Sequence, residues 1–416
     1  MVQGLPFSVV VLAAVFILIA VRQMAGLHLR IWQIVLGGAI AVLLTGQITV
    51  QAAASYVDPT VIAFLICIFI VGEALEESGY LQHLSYRIFR RAGSVSSLVL
   101  LIMVTAGVAS IFLMNDTLAV IGTPVVMLFA DRERINPKLM LLALAFAVTI
   151  GSAMSPIGNP QNLLITLSGL VNNPFPIFFW YLALPTLINL LIAYLVLRLF
   201  FRREFRAKRL VHARIGIRDR RLAALCKVSL GFIIILICVD VIGVSFGLLP
   251  GFNIAYIAIA ASIPIVLFSK GRFRIIRSID WSTIVFFVSI FVLMGSVWQS
   301  GFIQGEISSL GLQLASIPTV LSVSVVGSQF ISNVPMVLLY LRMLAYTHVP
   351  VSAVMALAAG STMAGNLFIL GAASNVIIIQ SAERRHRQTL SFIDFARVGV
   401  VLTALNILVY WVFLSV

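Results

Sequence analysis

An internal repeat constrains the fold of this chain more than any other feature of its sequence. Asp58–Gly79 reads DPTVIAFLICIFIVGEALEESG, and Asp280–Gly301 reads DWSTIVFFVSIFVLMGSVWQSG, with no gap between the shared first and last residues. The motif GSAM at Gly151–Met154 returns as GSTM at Gly360–Met363. The sequence therefore predicts two related halves.

Each half also has polar residues that interrupt its apolar stretches. One asparagine lies inside FLMNDT (Asn115) and another inside FISNVP (Asn333). The segment GNPQN at Gly158–Asn162 corresponds to GAASN at Gly371–Asn375. Paired interruptions at matching places in two membrane halves indicate the binding site of a transporter.

The composition requires a membrane around these halves. Of the 416 residues, 61% are hydrophobic and only 10% are charged, which is more apolar surface than a soluble domain can bury. We find no nucleophile–base pair, no intramembrane histidine cluster and no nucleotide-binding loop of the GxxxxGK[ST] kind in the sequence. An enzyme is therefore not predicted, and neither a cofactor nor an ATP-driven mechanism within this chain is expected.

The apolar runs predict an all-α membrane protein with ten spanning helices, two re-entrant helical hairpins and helices that are broken at the midplane. The spans are placed at about 5–21, 31–53, 59–78, 139–170, 175–200, 222–246, 252–269, 281–299, 351–380 and 392–415. The hairpins are placed at about 81–130 and 302–347, because each segment is long and apolar and has an asparagine near its middle.

The basic residues predict how the chain is oriented. The net charge of +14 does not indicate nucleic acid, because 27 of the 28 Lys and Arg residues, all but Arg342, fall in segments that one topology places on the same side. These segments are about 22–30, the two feet of the first hairpin, 198–227, 270–280 and 383–397. With both termini outside, that side is the cytoplasm of a prokaryotic plasma membrane. The predicted domains are an N-terminal repeat (1–201), a basic cytoplasmic linker that contacts anionic lipid (202–221) and an inverted C-terminal repeat (222–416).

The first predicted hairpin tip contains Asn115, Asp116 and Thr117. A carboxylate at this depth is costly and therefore indicates a function, and Asp116 is predicted to bind Na⁺ or to carry a proton. The alternative is that Asp116 only caps the helix that returns from Thr117 onward. At the second tip, Ser332 and Asn333 are predicted to contact the ligand.

Two helix breaks complete the predicted site. Pro156 and Pro160 remove backbone donors in the first break, and Pro335 suits the first turn after the second tip. Unwound carbonyls suit a cation, and a restarting helix suits an oxyanion. The predicted ligand contacts in the breaks are Gly158, Asn159, Gln161, Asn162, Gly371, Ser374 and Asn375. The alternative for the second break is a small-residue patch that packs two helices closely.

Several charged residues lie outside these motifs. Glu73, Glu76 and Glu77 end a span, and we expect them to reach the headgroups or to pair with Arg87, Arg90 and Arg91, while Glu73 is also a candidate for a proton path. Asp58 and Asp280 are expected to cap equivalent helices. Arg342 either lines the outer vestibule or extends to the headgroups.

These motifs resemble the ion transporter superfamily, which includes arsenite efflux permeases, silicic acid efflux carriers, divalent anion:sodium symporters, citrate transporters and one class of Na⁺/H⁺ antiporters. The resemblance implies an elevator-like movement, commonly in a homodimer, with binding residues at the tips and breaks. Dicarboxylate symporters of this group usually have Ser-Asn-Thr at these points, whereas this chain has Asn-Asp-Thr and Ser-Asn-Val. GNPQN after a Gly-Ser pair is more similar to the arsenite and silicic acid branch.

The sequence thus predicts a secondary active transporter. Its expected substrate is a small weak acid or its anion, coupled to H⁺ or Na⁺, because one carboxylate and no basic residue lie in the predicted site. Two alternatives remain open at this point: a Na⁺/H⁺ antiporter, and a Na⁺-coupled symporter of dicarboxylate, citrate or sulfate.

Overall fold

The computed structural model describes residues 5–21, 31–205, 218–246, 253–302, 314–344, 349–386 and 390–415. Every element of these ranges is helical. The expected lipid-binding linker at 202–221 falls largely outside the described residues, as do both feet of the second predicted hairpin.

The described part of the first half, within 5–21 and 31–205, contains ten helices. They are α1 (Phe7–Val21), α2 (Ile31–Leu44), α3 (Val50–Tyr56), α4 (Pro59–Ser78), α5 (Tyr80–Phe89), α6 (Val95–Phe112), α7 (Asn115–Glu133), α8 (Pro137–Ser152), α9 (Pro160–Leu167) and α10 (Pro174–Phe200).

The described part of the second half repeats most of this order. Its helices are α11 (Arg220–Ser245), α12 (Ile254–Phe268), α13 (Arg272–Ser278), α14 (Trp281–Gln299), α15 (Ile317–Ile331), α16 (Asn333–Leu344), α17 (Val351–Met363), α18 (Ala373–His386) and α19 (Phe392–Leu414). Two 3₁₀ turns, Ala364–Asn366 and Ile369–Gly371, lie between α17 and α18.

Local sequence explains where the repeated helices begin. The Asp58 carboxylate accepts a bond of 2.7 Å from the Thr60 amide, and Pro59 occupies the first position of α4. The Asp280 carboxylate accepts from the Thr283 amide at the start of α14. The prediction that these two acids cap equivalent helices is therefore confirmed.

The two halves pack on each other in a reciprocal way. Helix α4 packs against α12, and its counterpart α14 packs against α2. Helix α7 packs against α18, and its counterpart α16 packs against α9. The last helices of the halves, α10 and α19, pack together. Each half therefore completes the other, and the segments after the two tips contact the segments after the two breaks.

The helix lengths agree only in part with ten spans. Six described helices (α4, α6, α10, α11, α14 and α19) are long and apolar enough to cross a membrane. Six others are apolar but shorter: α1, α2, α8, α12, α15 and α16. The predicted span at 31–53 ends at Leu44, because a turn at Thr45–Ile48 separates α2 from α3. The spans at 139–170 and 351–380 are each broken, as the motifs predicted.

A candidate transport site at two tips and two breaks

The tip of the first hairpin is fastened to the first break. Leu113 and Met114 form the turn between α6 and α7, and α7 begins at Asn115. The backbone N–H of Asn115 donates to the Gly158 carbonyl across 2.9 Å. Asp116 lies in the first turn of α7, whereas the capping position is occupied by Met114. The alternative that Asp116 caps this helix is therefore wrong.

The first break lies slightly earlier in the chain than predicted. Helix α8 ends at Ser152, the chain is irregular over 153–159, and α9 begins at Pro160. Pro160 starts the new helix because its missing N–H has no helical partner in the first turn. Gln161 and Asn162 consequently lie in α9 rather than in the unwound stretch, which includes Pro156.

Asn159 is a structural link rather than a free ligand. Its Oδ1 accepts from the backbone N–H of Asn162 at 2.8 Å and thereby caps α9. Its Nδ2 donates to Ser152 Oγ at 3.0 Å and to Thr362 Oγ1 at 3.1 Å. Thr362 belongs to the GSTM motif of the other half, so Asn159 joins the two halves through a fully buried bond.

Asn162 is anchored so that its oxygen remains available. Its Nδ2 lies within 3.2 Å of the Ser152, Ala153 and Ser155 carbonyls, which accept from it. Its Oδ1 is buried and accepts no bond from any described residue. The side-chain amide of Asn162 therefore has an oxygen acceptor available to a ligand, whereas its nitrogen is occupied by the break.

The second tip contains a residue with a strained backbone conformation. Ser332 adopts φ +68° and ψ 157°, a region that is almost restricted to glycine. Helix α16 begins at the next residue, Asn333, and Pro335 lies in its first turn, as predicted. Asn333 is 5% exposed, and its Oδ1 has no partner within the described part of the chain.

The second break has a similar anchor. Asn375 Nδ2 donates to the Gly365 carbonyl at 2.6 Å. Asn375 Oδ1 and Ser374 Oγ are buried, and no described group bonds to either. A methyl group on Gly371 would approach the Ala364 carbonyl oxygen to 2.5 Å, and one on Gly158 would approach the Ser152 carbonyl oxygen equally closely. Both breaks therefore need glycine for steric reasons.

A subset of the predicted site residues shares one chemical property. Five of them, from both tips and both breaks, have a buried side-chain oxygen with no hydrogen-bond partner among the described residues: Asn115, Asn162, Asn333, Ser374 and Asn375. Leaving a buried polar atom without a partner costs about 1–3 kcal/mol. Each of these five oxygens is therefore free to accept a bond from a ligand.

Asp116, the residue after Asn115, lines an acidic cavity of about 80 Å³. Its walls include Asp116 and Thr117 from the first tip, Glu73 and Glu76 from α4, and Asp280 from the start of α14. No Lys or Arg is among the described residues that line it. The sequence did not predict that Asp280 and Asp116 share a cavity, since the only signal at Asp280 was that of a helix cap.

The structure shows which groups surround two charged residues outside the tips, Glu77 and Arg342. Glu77 pairs with Arg274 of α13 and not with the arginines at 87, 90 and 91. The reason is that α13 packs against α4.

The Arg342 guanidinium lies 4.6 Å from the centre of the Tyr56 ring and 5.6 Å from that of the Trp298 ring. Its charge therefore interacts with two aromatic faces.

The apolar helices indicate a polytopic membrane protein. The two broken helices and the open oxygen acceptors indicate that it is of the transporter class. The comparison with known families agrees. The profile of the family described as citrate transporter matches residues 13–348, and the chain belongs to that family.

Individual relatives support the same class. An uncharacterized transporter of Mycobacterium bovis is 29% identical over 380 residues, which cover 84% of each chain. The human P protein is 24% identical over 83% of this chain and 52% of its own length. The crystal structure of the YdaH transporter from Alcanivorax borkumensis shares the fold, with a TM-score of 0.56 and 16% identity over 90% of this chain and 88% of that one.

Proposed function

We propose that this protein is a secondary active transporter that moves a small weak acid or its anion, in the manner of an arsenite or silicic acid efflux carrier, coupled to H⁺ or Na⁺. The observation that carries the proposal is the set of five open oxygens at Asn115, Asn162, Asn333, Ser374 and Asn375. These oxygens come from all four interruptions of the repeat.

The chemistry of these atoms favours a ligand that offers positive charge or O–H donors. The amide nitrogens of Asn162 and Asn375 are occupied by backbone carbonyls, so their oxygens face the ligand. A free dianion would meet acceptors and the Asp116 carboxylate, which repel it. A neutral hydroxy acid would instead donate to the same acceptors.

The acidic cavity supports a coupling role for Asp116. A proton or Na⁺ that enters from the cavity reaches the first tip directly, because Asp116 and Thr117 line its wall. Glu73 and Glu76 lie on the same wall and extend the negative potential. Neutralisation of Asp116 would then remove the local repulsion that opposes an acidic substrate.

The reciprocal packing supports alternating access by two inverted repeats. Because α7 packs on α18 and α16 packs on α9, we infer that the tips and breaks move together as one body. We propose an elevator-type movement of this body, ten spans in all, both termini outside a prokaryotic plasma membrane, and a homodimer in the bilayer.

The family match favours a second candidate, Na⁺-coupled symport of citrate, a dicarboxylate or sulfate. In that case the open oxygens hold cations, and these cations compensate the charge of the anion. A Na⁺/H⁺ antiporter is the remaining alternative, in which Asp116 alternates between the two ions.

The test is a flux assay in proteoliposomes. The panel contains arsenite, silicic acid, phosphate, sulfate, citrate and succinate, each under separate H⁺ and Na⁺ gradients. Wild type is compared with Asn333→Ala, which removes one open oxygen, and with Asn253→Ala, which removes an exposed cap at the start of α12. We expect flux of a neutral hydroxy acid that falls about tenfold in Asn333→Ala and little in Asn253→Ala.

Each alternative gives a different result. Na⁺-driven flux of citrate, succinate or sulfate would replace the first candidate by the second. Na⁺/H⁺ exchange without any substrate would favour the antiporter. If no solute or ion in the panel crosses the membrane in wild-type vesicles, the proposed function is wrong.

A further inference from the structure

The sequences around the two tips differ at several positions, and one of these differences lies in the hairpin arm that precedes each tip. Counted back from the tip asparagines, Ser110-Ile111-Phe112 precedes Asn115 just as Ser328-Gln329-Phe330 precedes Asn333. Gln329 therefore occupies the position that Ile111 occupies in the first half. An amide in an apolar hairpin arm requires an explanation, because buried polar groups are costly without partners.

Gln329 contacts the second break directly. From α15, its Nε2 donates to the Ala364 carbonyl at 2.9 Å and to the Val325 carbonyl at 3.0 Å. Its Oε1 is buried, and no described group donates to it. The position that a methyl group on Gly371 would occupy is 3.2 Å from this Oε1. The oxygen thus lies against the second break.

Asn375 is bonded to the carbonyl next to the one that binds Gln329. It donates to the Gly365 carbonyl, the neighbour of the Ala364 carbonyl that holds Gln329. Two amides are therefore held through their nitrogens by the carbonyls of consecutive residues, and each leaves an open oxygen. The buried Ser374 hydroxyl, which is also without a described partner, belongs to the same break.

The first half has no counterpart of this extra amide. There the hairpin arm contributes only its backbone to the contact with the first break: the Ile111 carbonyl accepts from Ser155 Oγ at 2.7 Å. A methyl group on Gly158 would lie 2.8 Å from the Ser110 carbonyl oxygen. Hence the hairpin arm contacts the break in both halves, but only in the second half does the arm add a side-chain amide.

We propose that Gln329 is a specificity-determining ligand residue that makes the second half-site different from the first. It binds the electropositive part of the ligand, either Na⁺ or an O–H group of a neutral weak acid, together with Asn375 and Ser374. This inference rests on the proposed function for its ligand, but its own test does not need transport.

Two substitutions separate a ligand role from a structural one. Gln329→Met removes both the donor to Ala364 and the open oxygen at nearly unchanged length. Gln329→Glu removes the same amide donor but keeps an oxygen acceptor. If Gln329 only anchors the Ala364 carbonyl, both variants are impaired alike. If its oxygen binds the ligand, only the Met variant loses affinity.

The measurement is the shift of the unfolding temperature of the purified full chain at pH 8. One arm titrates Na⁺ against K⁺ at constant ionic strength, and the other titrates arsenous acid and silicic acid. In the arm that stabilises wild type, we expect the half-saturating concentration to rise about tenfold in Gln329→Met and less than about threefold in Gln329→Glu. Gln299→Leu, at an exposed position that ends α14, serves as the control and should match wild type.

Equal loss in the Met and Glu variants, or no loss in either, would overturn the proposal. So would the absence of stabilisation by every probe in wild type. Flux in the proteoliposome assay with unchanged binding by Gln329→Met would reject Gln329 and leave the proposed function intact. Probe binding that depends on Gln329 without any flux would reject transport and retain the site.

Discussion

At the scale of single residues, the site is defined by how its side chains are anchored. Asn162 and Asn375 were both predicted as ligands from their motifs, and both have nitrogens that bond to backbone carbonyls and oxygens that remain open. Asn159 carried the same motif signal, yet it caps α9 and reaches the other half. Sequence alone cannot separate these roles, because they depend on which carbonyls lie within reach.

Gln329 shows the opposite failure of sequence reasoning. It belongs to no recognised motif, and its relation to the second break exists only because α15 places it against Ala364. The gapless match of Ser110 and Ser328 before the tip asparagines was the available signal. A difference between repeats is informative at such a position, because the shared residues around it fix the alignment.

Ser332 provides a prediction at this scale. Because its φ is +68°, Ser332→Gly should relieve about 1–3 kcal/mol of backbone strain, against an entropic cost of about 0.5–1 kcal/mol for the added glycine. We expect a net gain of about 1 kcal/mol in stability, measured as a higher unfolding temperature in detergent. Ser332→Ala keeps the side-chain clash and should show no gain. A lower melting temperature for the glycine variant would contradict the strained backbone.

At the scale of elements, hydrophobic runs predicted most helices well. Helix α4 begins and ends where its span was placed, at Pro59 and Ser78. The short helices α3, α5 and α13 were not predicted, because their lengths of 7 to 10 residues are set by packing rather than by an apolar run. The first break was found from its glycine and prolines and the second from its matching position in the repeat, but the exact start of α9 followed from a capping bond.

The contact between α6 and α8 gives a second prediction. A methyl group on Gly151 would overlap the Gly107 backbone, which cannot move aside as a flexible side chain can. Gly151→Ala should therefore destabilise the protein by about 1–3 kcal/mol. Gly37→Ala in α2 meets nothing within 4 Å and should be neutral or slightly stabilising. Unfolding temperatures of the two variants in the same detergent measure the difference, and equal values would refute the close approach.

The bond between Asn159 and Thr362 gives a third prediction. Asn159→Ala removes a cap and two side-chain bonds in a fully buried place, so we expect a loss of about 2–4 kcal/mol. Asn253→Ala removes only an exposed cap and should cost about 1 kcal/mol. Chemical denaturation in a matched micelle compares them. A cost for Asn159→Ala no greater than that for Asn253→Ala would show that the halves are not joined there.

At the scale of the whole molecule, the repeat explains why the site lies between the halves. Each half supplies one tip and one break, and the reciprocal contacts of α7 with α18 and of α16 with α9 bring them together. The pairing of halves followed from the repeated motifs. The acidic cavity did not, because Glu73, Asp116 and Asp280 are far apart in sequence and only the fold places them on one wall.

The most direct test of the account is proton-driven flux by Asp116→Asn in proteoliposomes, with the substrate that the panel identifies. The matched control is Asp219→Asn, which changes an exposed acid that caps α11 through a bond an asparagine can also accept. We predict that Asp116→Asn lowers flux at least about tenfold and abolishes its dependence on the pH gradient, while Asp219→Asn behaves as wild type. Unchanged pH dependence in Asp116→Asn would contradict the coupling role of the first tip.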